Sequence, residues 1–163
     1  MLDLILTWAR LDTACSIWVT LAFGMCTDSG PILLGNMDMK TKLDRLKALA
    51  AHHDLKPTAK SIANLQKIVA HYVPLRNAIA HSMLTGERIS KPGTIVFSPL
   101  KPAPGILEHM LIHEVTVQAM KNATVFAYDA GSKLTTAHSL LVTRPTRQPT
   151  ELLEFPEFPN PNA

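Results

Sequence analysis

The chain is poor in the features that most directly announce a function. It has two cysteines, no C-x-x-C pair, no long Lys/Arg run, no Gly-rich phosphate loop of the G-x-x-x-x-G-K type, and no internal repeat. The missing loop removes the usual nucleotide-phosphate cradle. Without a dense basic tract, the net charge of +3 permits a polyanionic partner but does not demand one. Cys15 and Cys26 lack metal-type spacing. On one helix they would be separated by about 16 Å of rise, too far for a disulfide. Two unpaired thiols fit a reducing compartment, so the expected location is cytoplasmic.

A membrane-spanning segment is not expected. Residues Thr13 to Thr27 carry no charge, but that window falls short of the roughly 20 residues a bilayer requires. Asp3, Arg10, Asp12 and Asp28 flank or interrupt the apolar region, and the acidic start disfavours a signal peptide. What the chain does have is ordinary globular material. At 163 residues with 47% hydrophobic content it can bury one real core and is too short for two comfortable domains.

Read in order, Leu2 to Met25 repeats apolar residues at three- and four-residue steps and predicts a long, central first helix. Gly30-Pro31 breaks the chain before a short apolar connector, Ile32 to Gly35. Asp38 is a cap for a second helix from Met39 to His53, whose lysines and Arg45 read as a solvated face. Thr58 is the expected cap of a third helix, Ala59 to about Leu84, interrupted or kinked at Pro74. Gly93 to Ser98 and Leu107 to Glu114 then read as two strands of a hairpin joined through Pro99 to Gly105. Thr116 caps a closing helix, about Val117 to Leu141, with Gly131 in its interior. From Arg144 onward proline dominates, predicting an extended tail outside a single domain spanning residues 1–143.

The chemistry concentrates at the end of the third helix, in Leu75-Arg76-Asn77-Ala78-Ile79-Ala80-His81-Ser82. At about 100° per residue, Asn77 lies about 100° and His81 about 140° from Arg76, with Ala80 at about 40°, between Arg76 and Asn77. Leu65, Ile68, Tyr72, Leu75, Ile79 and Met83 fall on the other side, at roughly 260° to 340°, as a core stripe.

This stretch resembles the signature of HEPN domains, in which an Arg, often followed by Asn, precedes a His by four to six residues late in a helix. The resemblance covers about Met1 to Leu141. It implies an all-α, up-and-down bundle of four to five helices, with the hairpin near residues 88–114 as an insertion. It further implies a metal-independent endoribonuclease acting on RNA as a homodimer, in a toxin or defence setting, with no cofactor and no metal. The family's catalytic residues map to Arg76, Asn77 and His81. An antitoxin or a nucleotidyltransferase is the further partner it implies, although Met83 stands where the subset modified by such transferases carries Tyr. Other members are non-catalytic modules that bind a nucleotide or a protein, and that alternative stays open. The bare pattern is also matched by Arg45 and His52, which lack the Asn and sit in an ordinary charged helix.

Blander readings accompany each candidate. His81 can be a helix-terminal histidine favoured by the macrodipole, with Arg76 bridging to Asp12 or Asp44. His52 and His53 read as an exposed helix end, His109 and His113 as surface positions on a strand. Trp8 and Trp18 read as core or dimer contacts rather than a base-stacking platform.

Overall fold

The computed structural model describes residues 1–25, 30–35, 37–100, 112–142, 152 and 155–160. Helix α1 (Leu2–Ala22) lies at the centre, with eleven buried residues that include Leu4, Leu11, Trp18 and Leu21. By length and composition it could cross a membrane, with mean hydropathy 1.2 over its most apolar window. Half of that window is buried inside the protein, where α1 forms the core helix.

A short helix, α2 (Gly30–Leu34), occupies the region expected to be a breaker and connector. Pro31 is tolerated there because the first turn of a helix needs no N–H from it. Helix α3 (Met39–His52) starts at Asp38 as expected, with its carboxylate accepting from the Thr41 N–H at 2.7 Å. Hydrogen bonds with Thr41, first to its side chain and then to its backbone, hold the Asp38 carboxyl below its ordinary value of 3.8. Asp38→Ala should cost about 1 kcal/mol of stability at neutral pH, the usual value of such a cap. A lowered pKa stabilises above the ordinary value, and that contribution is lost as pH falls through the lowered one. The difference between wild type and variant should therefore close in strong acid, as read by denaturant titration at each pH.

Helix α4 (Lys56–Ala80) folds back on α3 after the turn at Asp54, which has φ +57°. It runs without a break through Pro74. It begins before Thr58 and ends before Leu84, so both expected boundaries shift. Thr58 is buried and donates to the Leu152 carbonyl instead of capping the helix.

Beyond α4 the all-α expectation is overturned. Strands β1 (Ser82–Glu87), β2 (Thr94–Pro99) and β3 (His113–Thr116) form a three-stranded antiparallel sheet in that order. The protein is mainly helical with a three-stranded sheet, so it is not all-α, although the expected small hairpin insertion is roughly consistent with that sheet. Strand β2 lies where a strand was expected, and β3 overlaps the end of the second one, whose residues 107–111 lie outside the described residues. Strand β1 takes residues that had read as the last helical turn. Met83 fits the helical stripe, yet it pairs with Ser98 and is exposed. Pairing along Ser82–Glu87 supplies ladder bonds that one more helical turn would forgo, and such tertiary context overrides local period. The irregularity between Leu84 and Gly86 is a bulge, eased by Gly86 at φ +152°. Phe97 and Val115 carry the sheet into the core.

Helix α5 (Val117–Val142) closes the fold against α1, with the Thr116 hydroxyl accepting from the Ala119 N–H as a cap. The Trp18 indole donates to the Leu134 carbonyl at 3.0 Å. Gly131 faces the Leu11 backbone, and a Cβ there would meet Leu11 at 3.6 Å, an ordinary contact. Gly131→Ala should raise the melting temperature, since alanine is worth up to about 1 kcal/mol over glycine inside a helix. A calorimetric scan checks this, and a lowered melting temperature would mean that α1 and α5 approach too tightly for a methyl group.

The proline-rich end also departs from expectation at its described positions. Leu152, Phe155 and Phe158 are buried, and Phe155 meets Trp18 edge-on at 5.1 Å. Ser61 and Asn64 donate to the carbonyls of Pro156 and Phe158, while the Phe158 N–H donates to the Ser61 hydroxyl. With Thr58, these side chains make a polar stripe along α4 at three-residue spacing, the helical period that keeps them on one face. It satisfies the backbone of an extended segment that has no ladder of its own.

Candidate functional site

The last turns of α4 carry the three motif residues into different surroundings. Arg76 is half-buried and lines a groove of about 930 Å³ between α1, α3 and α4. Leu43, Val69 and Val73 contribute its floor, and Asn77 stands beside Arg76 on the rim. An Arg76 Nη1 donates to Asn77 Oδ1 at 3.0 Å, so the amide steadies the guanidinium. Among the described residues, Arg76 Nε is buried without a hydrogen-bond partner. A buried, unmet donor costs about 1–3 kcal/mol and calls for an explanation.

The expected bridge from Arg76 to Asp12 or Asp44 is not formed. Asp12 is held by Lys42 Nζ at 2.8 Å to both carboxylate oxygens. Asp44 accepts from Gln66 at 2.7 Å and pairs with Lys40 at 3.6 Å. Among the described residues, Arg76 makes no ion pair. Its charge faces the groove with only Asn77 as a partner.

His81 is placed apart. It is the C-terminal cap of α4, donating its backbone N–H to the Asn77 carbonyl at 3.0 Å and accepting from the Leu100 N–H at 3.1 Å. These bonds fix its backbone where helix meets sheet. Its side chain is exposed, makes no hydrogen bond among the described residues, and does not line the groove. The structure thus joins Arg76 with Asn77 and leaves the imidazole to reach outward from the helix end. The macrodipole reading of His81 keeps its geometric basis, because the residue ends a long helix.

Of the remaining candidates, Trp8 and Trp18 are buried in the core. His52 and His53 are exposed at the end of α3 with rings 5.1 Å apart. His113 is exposed on β3, and His109 and Cys26 lie outside the described residues. Among the described residues, no group of three or more His, Cys, Asp or Glu is placed to hold a metal. Cys15 is buried, which pushes its thiol up to about 12, with Asp12 adding to the effect. It is an inert core group rather than a nucleophile.

Sequence reasoning missed Lys47 and Lys67, which join Arg76 around the same groove. Lys47 reads as part of a solvated face when α3 is taken alone, and Lys67 belongs to no motif. No motif marks either lysine; the short turn at 53–55 shows only that α3 and α4 fold together, so that residues at similar distances from it meet. The Asp44–Gln66 hydrogen bond is one such meeting.

No family model, curated protein or solved structure matches this chain.

Proposed function

We propose that this protein is a metal-independent endoribonuclease of the HEPN type, acting on RNA in the cytoplasm as a homodimer. The observation that carries the reading is the state of Arg76: a guanidinium on a groove, steadied by Asn77, with every nearby carboxylate bound elsewhere. An arginine spared from internal ion pairing suits a phosphate, which its planar fork can hold through two parallel bonds.

The reaction needs three things. The ribose 2′-hydroxyl loses its proton and attacks phosphorus, the bond from phosphorus to the 5′-oxygen breaks, and that oxygen takes up a proton. The products are a 2′,3′-cyclic phosphate and a 5′-hydroxyl. Arg76 neutralises charge building on the phosphoryl oxygens, Asn77 orients Arg76 or the ribose, and His81 moves one proton. One chain supplies one motif imidazole, about 140° around the helix from Arg76. A second copy supplies the other imidazole and closes the site over the groove.

The test is a matched pair of RNA and DNA strands incubated in EDTA. RNA should be cut to cyclic phosphate ends and DNA left whole, because DNA lacks the attacking hydroxyl. Cleavage of DNA, or of RNA only with added metal, would overturn the reading. The placement of His81 outside the groove favours a second reading, a non-catalytic module that binds a nucleotide or a protein partner. Under that reading RNA or nucleotide is bound at Arg76 and released unchanged.

A further inference from the structure

We infer that α1, α4 and α5 together form a peptide-recognition groove whose ligand is an extended segment of the pattern Phe-Pro-x-Phe-Pro. The chain's own residues 155–159 fill it as a tethered ligand, and a peptide of the same chemistry takes their place when they leave. This site stands apart from the ribonuclease reading and does not depend on it. The carrying observation is how the segment is held: side chains of a neighbouring helix read its backbone, in place of a strand ladder. Ser61 donates to the Pro156 carbonyl at 2.8 Å, Asn64 to the Phe158 carbonyl at 2.9 Å and Thr58 to the Leu152 carbonyl at 3.1 Å. The Ser61 hydroxyl also accepts from the Phe158 N–H at 2.7 Å. Proline has no N–H to offer, so a groove for an aromatic–proline segment must bring donors to its carbonyls. This one does.

The segment's own side chains supply the specificity. Phe155 and Phe158 are three residues apart, the period of a polyproline II helix, which places both rings on one face. Both are buried, while Glu157 between them is exposed. A residue that precedes proline is steered to extended backbone, so both phenylalanines are pre-set for docking and less order must be imposed on them. The seats are held by the helices themselves. Trp18, which meets Phe155 edge-on at 5.1 Å, is fixed by its indole bond to the Leu134 carbonyl. Lys133 of α5 sets its ammonium 5.7 Å from the centre of the Phe158 ring. Helix α1 packs on α5, and α4 on α3, through contacts that do not involve the segment. Thr58, Ser61 and Asn64 can hydrate once the segment leaves, so an empty groove strands none of these polar groups.

The experiment has two arms. In the intact chain, native-state hydrogen exchange is followed at the Phe158 amide and at α1 amides such as that of Leu11. The Phe158 amide should exchange about tenfold faster or more, because the segment leaves while the helices stay folded. In the second arm a protease site is placed within residues 144–150, and the full chain is cut after folding and diluted to release the segment. A labelled peptide of residues 151–163 is then added and its anisotropy read. It should bind the cut chain about tenfold more tightly, or better, than the uncut chain, whose own segment competes at an effective concentration on the order of millimolar. Ser61→Ala with Asn64→Ala in the cut chain, or Phe155→Ala with Phe158→Ala in the peptide, should each weaken binding about tenfold or more. Glu157→Ala in the peptide should change it by less than about twofold. Exchange of the Phe158 amide only together with the α1 amides, or loss of helical circular dichroism as the cut segment dissociates, would make the segment a fixed part of the core and overturn the proposal. A folded cut chain that does not bind the peptide, or binding that ignores both pairs of substitutions, would overturn it as well.

Discussion

Replacing His81 with alanine is expected to lower RNA cleavage by about 10²- to 10⁴-fold, the range that a positioned general acid or base contributes. The fold should hardly notice. The structural duties of His81 belong to its backbone, which bonds to Asn77 and Leu100, and alanine retains both. The imidazole is exposed and bonded to nothing among the described residues, so its loss should stay within about 0.5 kcal/mol of stability. Binding should also persist, because Arg76, Asn77 and the groove lysines remain. Arg76→Ala should differ in kind, losing affinity and rate together. Arg76→Lys keeps the charge without the fork and should recover binding better than rate. Parallel measurement of melting temperature, RNA affinity and cleavage separates these signatures. A His81→Ala protein that cleaves at the wild-type rate would remove the residue from the chemistry.

The largest expected loss of stability lies at a pair the motif does not include. Asp12→Ala should cost about 1–3 kcal/mol, less than a fully buried pair, because the Lys42 ammonium loses its partner while water can enter the place of a carboxylate that is 41% exposed. The Lys42 side chain is 5% exposed, and both of its short contacts go to the Asp12 carboxylate. Asp12 is 41% exposed, so the damage is unequal. Lys42→Met should cost less, since the carboxylate left behind can hydrate and methionine refills the apolar stem's space. The double variant Asp12→Leu with Lys42→Met should recover most of the loss, because buried ion pairs often tie with apolar pairs of similar volume. Urea titrations of the three proteins decide this. A loss below about 1 kcal/mol for Asp12→Ala would mean that Lys42 finds another acceptor or reaches solvent. A protein whose whole stability is about 5–15 kcal/mol would feel the predicted loss as a sharp fall in folded yield.

What the sequence made legible follows from the range over which each signal acts. Caps at Asp38 and Thr116 involve residues three apart, and both were readable. The four long helices were readable because a three- and four-residue apolar rhythm persists over many turns. Strand β1 was not, because Met83 extends that rhythm while its ladder partner, Ser98, lies fifteen residues on. The docking of Phe155 and Phe158 was hidden by their prolines, which suggest a solvated tail. The counter-signal was Thr58, Ser61 and Asn64, a polar stripe on a helix face that an extended backbone then covers.

The candidate site was half legible on the same grounds. Arg76 and Asn77 are neighbours in sequence, and their mutual bond is local. Their freedom from Asp12 and Asp44 depends on Lys42, Lys40 and Gln66 reaching those acids first, across three helices. The divergence of His81 from the groove depends on α4 ending at Ala80 and a sheet beginning at Ser82. Neither fact is encoded in the spacing of Arg and His.

The measurement that bears most directly on the ribonuclease reading is cleavage of pooled cellular RNA in EDTA by the wild-type protein, Arg76→Ala and His81→Ala, each confirmed as folded. Cleavage by wild type alone, leaving 2′,3′-cyclic phosphate ends, is the predicted result. No cleavage by a well-folded wild-type dimer, or equal cleavage by all three proteins, would contradict it.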